Sequence, residues 1–98
     1  MAVSCVPYSV YLVECSDGSL YTGISTDVSR RIAEHEVTQK GAKYLRGRGP
    51  LKLVFEREVG NRSLASRVES KIKRLPRRDK SDITKLAALV DIYISELI

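Results

Sequence analysis

The sequence predicts a small single-domain α+β protein, in which a three-stranded antiparallel sheet is combined with three helices. An Asp17-Gly18 pair stands between two runs of β-forming residues, which is a strong signal for a hairpin. Further along the chain, apolar residues recur every three or four positions, as is typical of helices. At 98 residues the chain has room for one modest core. We expect strands over about 8–15, 19–24 and 51–59, and helices over about 27–38, 62–75 and 79–96.

The length of the hairpin loop decides where two tyrosines lie. A two-residue loop would place Tyr11 and Tyr21 on opposite faces, because side chains alternate along a strand with a period of two. A three-residue loop, with Gly18 in the left-handed conformation, would pair Val13 with Tyr21 and Tyr11 with Gly23. We predict this second register, which makes the phenols diagonal neighbours and leaves open space beside the Tyr11 ring. The opposite face would then carry core residues, namely Val10, Leu12, Leu20 and Thr22.

The segment after the hairpin predicts an amphipathic helix. Residues 25–27 are rich in N-cap residues, and the stretch 28–35 has two apolar residues four positions apart. Arg31 lies at the edge of this apolar stripe, His35 follows it at i+4, and Arg30 points elsewhere. The first 35 residues thus present two phenols, a guanidinium and an imidazole.

Two further segments complete the predicted fold. The stretch 51–59 predicts the third strand that a stable hairpin needs. In the helix over 62–75, Glu69 lies at the flank of the apolar stripe, where it could be a ligand. The alternative is a surface carboxylate paired with Lys73 at i+4. Pro76 ends this helix, and the apolar surface of the last helix predicts packing across the sheet or a subunit contact, so we expect a monomer or a weak homodimer.

Positive charge is concentrated in one part of the chain. All but one of the 17 lysines and arginines lie between residues 30 and 80, together with half of the 12 acidic residues. Such an imbalance indicates a polyphosphate partner, although a solvated surface is the alternative. A glycine-rich loop over 40–50 and a cluster over 71–80 favour nucleic acid, and the cluster also complements a helix dipole. The residues expected to contact nucleic acid are Gly23, Lys40, Lys43, Arg46, Arg48 and Lys73.

Several classes of protein are excluded by the composition. No apolar run approaches the roughly 18 residues of a membrane span, and the first residues lack the pattern of a signal peptide. We therefore expect a cytoplasmic protein. Cys5 and Cys15 form neither a CxxC pair nor a zinc quartet, so we assign them no function.

The spacing of these residues resembles that of the GIY-YIG nuclease family, most strongly over residues 8–80. The chain is similar, more narrowly, to small stand-alone bacterial members that resemble the amino-terminal domain of the excinuclease C subunit. The first motif has Val-Tyr-Leu where the family name has Gly-Ile-Tyr, and the second has Thr for Ile, and both changes suit a strand. The matching residues are Val10-Tyr11-Leu12, Tyr21-Thr22-Gly23, Asp27, Arg31, His35 and Glu69.

The resemblance implies hydrolysis of nucleic-acid phosphodiesters, most often DNA, by water and one divalent cation, in repair or recombination. It makes Glu69 the ligand of Mg²⁺ or Mn²⁺ and Arg31 the contact to a non-bridging phosphate oxygen. Tyr11 is the candidate general base and Tyr21 its support, although the two roles could be exchanged. A phenol with an ordinary pKa near 10 requires that pKa to be lowered by Arg31, the metal ion or the second phenol. His35 would orient a phosphate or the water, or would pack at the helix edge.

One departure from the family leaves other functions open. Many family members carry an asparagine after the metal-binding glutamate, whereas the one asparagine of this chain is Asn61. We expect the stand-alone branch to do without this asparagine, with reduced or partner-dependent activity as the alternative. Substrate choice would come from the basic surface, DNA structure or a protein partner. The competing functions are a non-catalytic nucleic-acid binding module and a small scaffold that dimerises through its last helix.

Overall fold

In a computed structural model, which describes residues 6–16, 18–37 and 51–97, the chain adopts the predicted α+β architecture. The three strands form an antiparallel sheet in the order β2-β1-β3, with β1 at its centre. In chain order the elements are β1 (Tyr8–Glu14), β2 (Leu20–Ser25), α1 (Val28–Val37), β3 (Lys52–Gly60), α2 (Arg62–Lys73), α3 (Arg77–Ser81) and α4 (Ile83–Leu97).

The hairpin has the predicted three-residue register. Tyr11 lies opposite Gly23, and Val13 lies opposite Tyr21. At the turn, the Cys15 backbone N–H donates to the Ser19 carbonyl at 2.8 Å, and Gly18 has a φ of 84°. Glycine adopts this left-handed conformation without the steric cost of a Cβ, which is why it closes the turn here.

One face of the sheet packs against α2 and α4. Because side chains alternate along β1, Val10 and Leu12 point to this face, and α2 and α4 cover them with apolar residues spaced at three or four positions. The buried residues of this core are Val10, Leu12, Phe55, Val68, Ile72, Leu86 and Val90.

The opposite face packs against α1. Tyr11, Val13 and Cys15 form a second buried cluster there with Val28, and Ile32 packs against its edge. The helix begins as predicted, because the Asp27 carboxylate accepts a hydrogen bond from the Arg30 backbone N–H at 3.1 Å. The catalytic candidates on β1 and α1 therefore share one face of the sheet.

An irregularity in β3 was not predicted. Leu12 lies opposite Phe55 while the next residue, Val13, lies opposite Leu53, so Val54 is an extra residue on β3. Such a bulge lets two successive residues face the same side. Phe55 and Val54 both pack into the core under α2 and α4 as a result.

The single helix expected over about 79–96 is wrong, because the chain forms two helices there. Asp82 has extended backbone angles and ends α3, and its carboxylate accepts a hydrogen bond from the Lys85 backbone N–H at 3.1 Å. It thus begins α4 as an N-cap. At the start of α4, Ile83 is 37% exposed, whereas Leu86 and Val90 are fully buried.

Two further features to compare with the sequence are the apolar character of the helices and the cysteines. Among the described residues, no helix combines the length and the apolar character needed to cross a membrane. Cys15 is a buried, free thiol, and Cys5 lies outside the described residues.

Candidate active site

Tyr11 lies at the centre of the candidate site, and the hairpin register determines its position. Its side chain is 1% exposed and belongs to the second buried cluster, on the face of β1 that packs against α1. A Cβ at Gly23 would lie 2.6 Å from the Tyr11 Oη and 2.7 Å from its Cζ. The open space that we expected beside the ring is therefore filled by the phenol itself, because the ring lies across Gly23.

Tyr21 stands next to Tyr11 on the neighbouring strand. The ring centroids are 6.5 Å apart and the ring planes are inclined by 50°, a tilted arrangement that is typical of favourable aromatic pairs. The diagonal placement of Tyr21 follows from its pairing with Val13. The predicted juxtaposition of the two phenols is thus present.

Arg31 of α1 brings a positive charge to this pair. The charge and the hydrogen bonding of its guanidinium act to lower the pKa of the Tyr11 phenol. The same guanidinium lies 3.2 Å from Glu34 Oε1, and its side chain is 36% exposed. Arg30 is predominantly exposed, as expected, with its Nε 3.5 Å from Glu34 Oε2.

Glu34 was not among the predicted site residues. Its Oε1 accepts a hydrogen bond from the Arg31 guanidinium at 3.2 Å, and its Oε2 forms an ion pair with Arg30. The sequence did carry a signal for this, since Glu34 follows Arg30 by four positions and Arg31 by three, and oppositely charged residues at these spacings meet on a helix. Glu34 therefore helps to hold Arg31 in place.

Glu69 of α2 supplies a carboxylate to the same site. Its side chain is 20% exposed, and Oε2 lies 3.6 Å from the Lys73 Nζ, so the ion pair that we weighed as an alternative is present. The carboxylate also acts on the tyrosines, because its negative charge raises the pKa of both Tyr11 and Tyr21. Glu69 thus pairs with Lys73 and also acts through its charge on both phenols.

Both phenols are neutral at ordinary pH. Burial raises the pKa of Tyr11 to about 12, with the second phenol adding to this rise, while the charge and hydrogen bond of Arg31 oppose it. Burial and the Glu69 charge likewise raise the pKa of Tyr21. We expected Arg31 or the second phenol to lower the pKa of the base, but burial outweighs Arg31 and the second phenol acts in the opposite direction.

The donor set suits a cation that needs few protein ligands. In the described segments no cluster of three or more His, Cys, Asp or Glu side chains could surround a metal ion. Mg²⁺ commonly binds through one or two carboxylates and keeps several waters. Glu69, a partly exposed carboxylate beside two phenols, fits that requirement.

Several predicted site residues lie outside the described residues. They are the side chain of His35 and the loop residues Lys40, Lys43, Arg46 and Arg48. Lys73 is close to the site through its ion pair with Glu69. Gly23 contributes by accommodating the Tyr11 ring.

Comparison with known proteins relates this arrangement to a family. The UPF0213 protein YhbQ of Salmonella typhimurium is 46% identical over 91 residues, which are 93% of this chain and 90% of the relative. The YhbQ protein of Escherichia coli O127:H6 is 48% identical over 91 residues with the same coverage, 93% and 90%.

Two solved solution structures have a similar fold. The UPF0213 protein BH0048 from Bacillus halodurans is 48% identical, with a TM-score of 0.50 over 81% of this chain and 83% of that one. The protein EF2693 from E. faecalis is 33% identical, with a TM-score of 0.57 over 91% of this chain and 93% of that one. The family model described as the GIY-YIG catalytic domain matches residues 7–82, so the chain belongs to the GIY-YIG family.

Proposed function

We propose that this chain is a divalent-metal-dependent endonuclease that hydrolyses DNA phosphodiesters, with a role in DNA repair or recombination. The observation that carries the proposal is the pair of phenols on β1 and β2, whose ring centroids are 6.5 Å apart. Arg31 of α1 and Glu69 of α2 both act on the pKa values of this pair through their charges. Phosphoryl transfer asks a protein mainly to position the reactants and to stabilise charge, and these groups can do both.

Arg31 binds a non-bridging oxygen of the scissile phosphate. Its side chain is partly exposed and its charge acts on the Tyr11 phenol, so a phosphate bound there would lie near that phenol. Fork-shaped donors suit phosphate oxygens.

Tyr11 holds the attacking water and takes its proton as a phenolate, with Tyr21 in support. With a pKa of about 12, only roughly one phenol in 100,000 is ionised at pH 7, so turnover needs added positive charge near the phenol. Glu69 would hold Mg²⁺ or Mn²⁺, which when bound supplies that charge and stabilises the negative charge of the reacting phosphate.

The test is cleavage of plasmid DNA and of a panel of duplex, flapped, single-stranded and RNA oligonucleotides with Mg²⁺ or Mn²⁺. Arg31→Ala, Tyr11→Phe and Glu69→Ala should each reduce cutting at least about a hundredfold while leaving binding largely intact. Arg30→Ala is the matched control, because it removes the same charge from the adjacent, exposed position. It should cut within about twofold of the original protein.

The outcomes separate three functions. Equal cutting by the original protein and all variants would mean a contaminating nuclease and would contradict the proposal. Salt-dependent DNA binding without metal-dependent cutting would instead identify a nucleic-acid binding module. Absence of both would favour a scaffold, to be examined by its state of association.

A further inference from the structure

An open depression of about 310 Å³ lies beside the tyrosine pair. Its lining residues are Leu20, Tyr21 and Thr22 of β2, Lys73 of α2 and Lys80 of α3. The three β2 residues are consecutive and point alternately to the two faces of the sheet, so the depression follows the outer edge of this edge strand. It shares Tyr21 with the candidate active site, and none of its lining residues is acidic.

Helix α3, which carries Lys80 and forms one wall of the depression, contacts both the hairpin and α4. The Arg77 guanidinium, at the start of α3, donates a hydrogen bond to the Gly18 carbonyl oxygen in the hairpin turn. Asp79, also in α3, accepts from the Lys85 Nζ of α4 at 2.8 Å. Short helix α3 is thereby fixed between the hairpin and α4, with Lys80 facing the depression.

Charge in this wall is not balanced. Asp79 is the one acidic residue between positions 71 and 80, and its carboxylate is engaged by Lys85. Lys73 pairs with Glu69, whereas Lys80 makes no ion pair with any residue that the structure describes. Lys80 is a half-buried residue without a carboxylate partner among the described residues, and it lines the same depression as Lys73, so the two positive charges favour a bound anion there.

We propose that this depression binds the backbone phosphate of a nucleotide next to the cleaved one, with Lys80 and Lys73 as its partners. A linear polyanion suits a cationic depression that runs along an extended strand and opens onto Tyr21. The inference rests on the proposed function, because it places one strand of nucleic acid across both sites.

Lys80→Gln and Arg78→Gln form a matched pair for the test. Arg78 lies on the same short helix, is exposed and does not line the depression, so both variants lose one positive charge from one element. Cleavage of a short oligonucleotide with Mg²⁺ is measured over a range of salt concentrations. Lys80→Gln should raise KM about fivefold to tenfold and leave kcat within about twofold. The slope of log KM against the logarithm of the salt concentration should fall by about one. Arg78→Gln should change KM by less than about twofold.

Substrates with one neutral methylphosphonate locate the contact. Placed at the phosphate on either side of the cleaved bond, the substitution should weaken binding to the original protein at one position. Its effect should be smaller in Lys80→Gln, where Lys73 is the remaining partner of that phosphate. Equal KM changes in Lys80→Gln and Arg78→Gln would overturn the inference while leaving the proposed nuclease intact. If the original protein does not cleave, the proposed function fails, and the inference is then decided by fluorescence anisotropy with the same oligonucleotides and variants.

Discussion

Gly23→Ala is the change that tests the tyrosine site most directly. The new Cβ would stand 2.6 Å from the Oη, 2.7 Å from the Cζ and 3.0 Å from the Cε1 of Tyr11. Unbonded carbon atoms normally rest about 3.5 to 4.0 Å apart, so the ring would have to move by about 1 Å. Because Tyr11 is 1% exposed, its neighbours would have to move too. We expect a loss of about 1 to 3 kcal/mol in the free energy of unfolding, which is typical of overpacking.

A double-mutant cycle isolates this contact. Leucine lacks all three of the contacted atoms, so Tyr11→Leu removes the obstacle while it retains an apolar side chain. In that background Gly23→Ala should cost nothing, or should stabilise by up to about 1 kcal/mol, because glycine weakens strand interiors. The coupling energy between the two positions is thus about 1 to 4 kcal/mol. Urea unfolding of the four proteins, followed by far-ultraviolet circular dichroism, measures it.

The same cost for Gly23→Ala in both backgrounds would refute the reasoning. The strain would then come from the backbone of β2, and the ring would not lie across Gly23. A second measurement links the contact to function, since Gly23→Ala should also lower kcat for cleavage by moving the phenol away from Arg31.

The raised pKa values of the phenols lead to three further expectations. If the Tyr11 phenolate is the base, kcat/KM should rise about tenfold per pH unit below the pKa that the phenol has in the presence of the metal ion, and a profile that is flat from about pH 5 to 9 would contradict that role. Because folding raises the pKa of Tyr11 from 10.0 to about 12, the neutral phenol contributes stability that is present below pH 10 and lost as the pH rises through 12. This loss amounts to about 3 kcal/mol, and urea unfolding across this range should show a smaller decline for Tyr11→Phe than for the original protein. Glu69→Gln removes a charge that raises the pKa of both phenols, so tyrosinate absorbance should appear at lower pH, whereas an unchanged titration would place Glu69 too far from them.

The hairpin and its tyrosines could be predicted from local rules alone. The Asp-Gly turn and the period of two act within a few residues and leave two registers. We predicted the three-residue loop, which places both phenols on one face, and the structure confirms it. The start of α1 at Asp27 and the place of Arg31 at the edge of the apolar stripe are equally local. These features needed no knowledge of the rest of the chain.

Other features depend on distant packing and were not predictable in the same way. The bulge at Val54 is a property of the pairing between β3 and β1. The spacing of apolar residues within β3 does not indicate it. At Asp82 the sequence did carry a local signal, because residues 77–82 are all polar and aspartate is a common N-cap residue, but this stretch was interpreted as the start of one helix. The raised pKa of Tyr11 depends on the depth of burial and on charges from other elements, so the phenol that the sequence favours as a base is neutral in the folded protein.

The order of strands in the sheet sets the order in which the chain can assemble during synthesis. The central strand β1 is made first, and one of its partners, β2, follows at once, whereas β3 and α2 lie beyond residue 50. Local pairing is fast, while contacts that close long loops form later. A nascent chain that has emerged through α1 already carries both phenols and Arg31, but not the carboxylate of Glu69. If Glu69 holds the metal ion as proposed, the chain cannot cleave nucleic acid until α2 has been synthesised and has packed against the sheet.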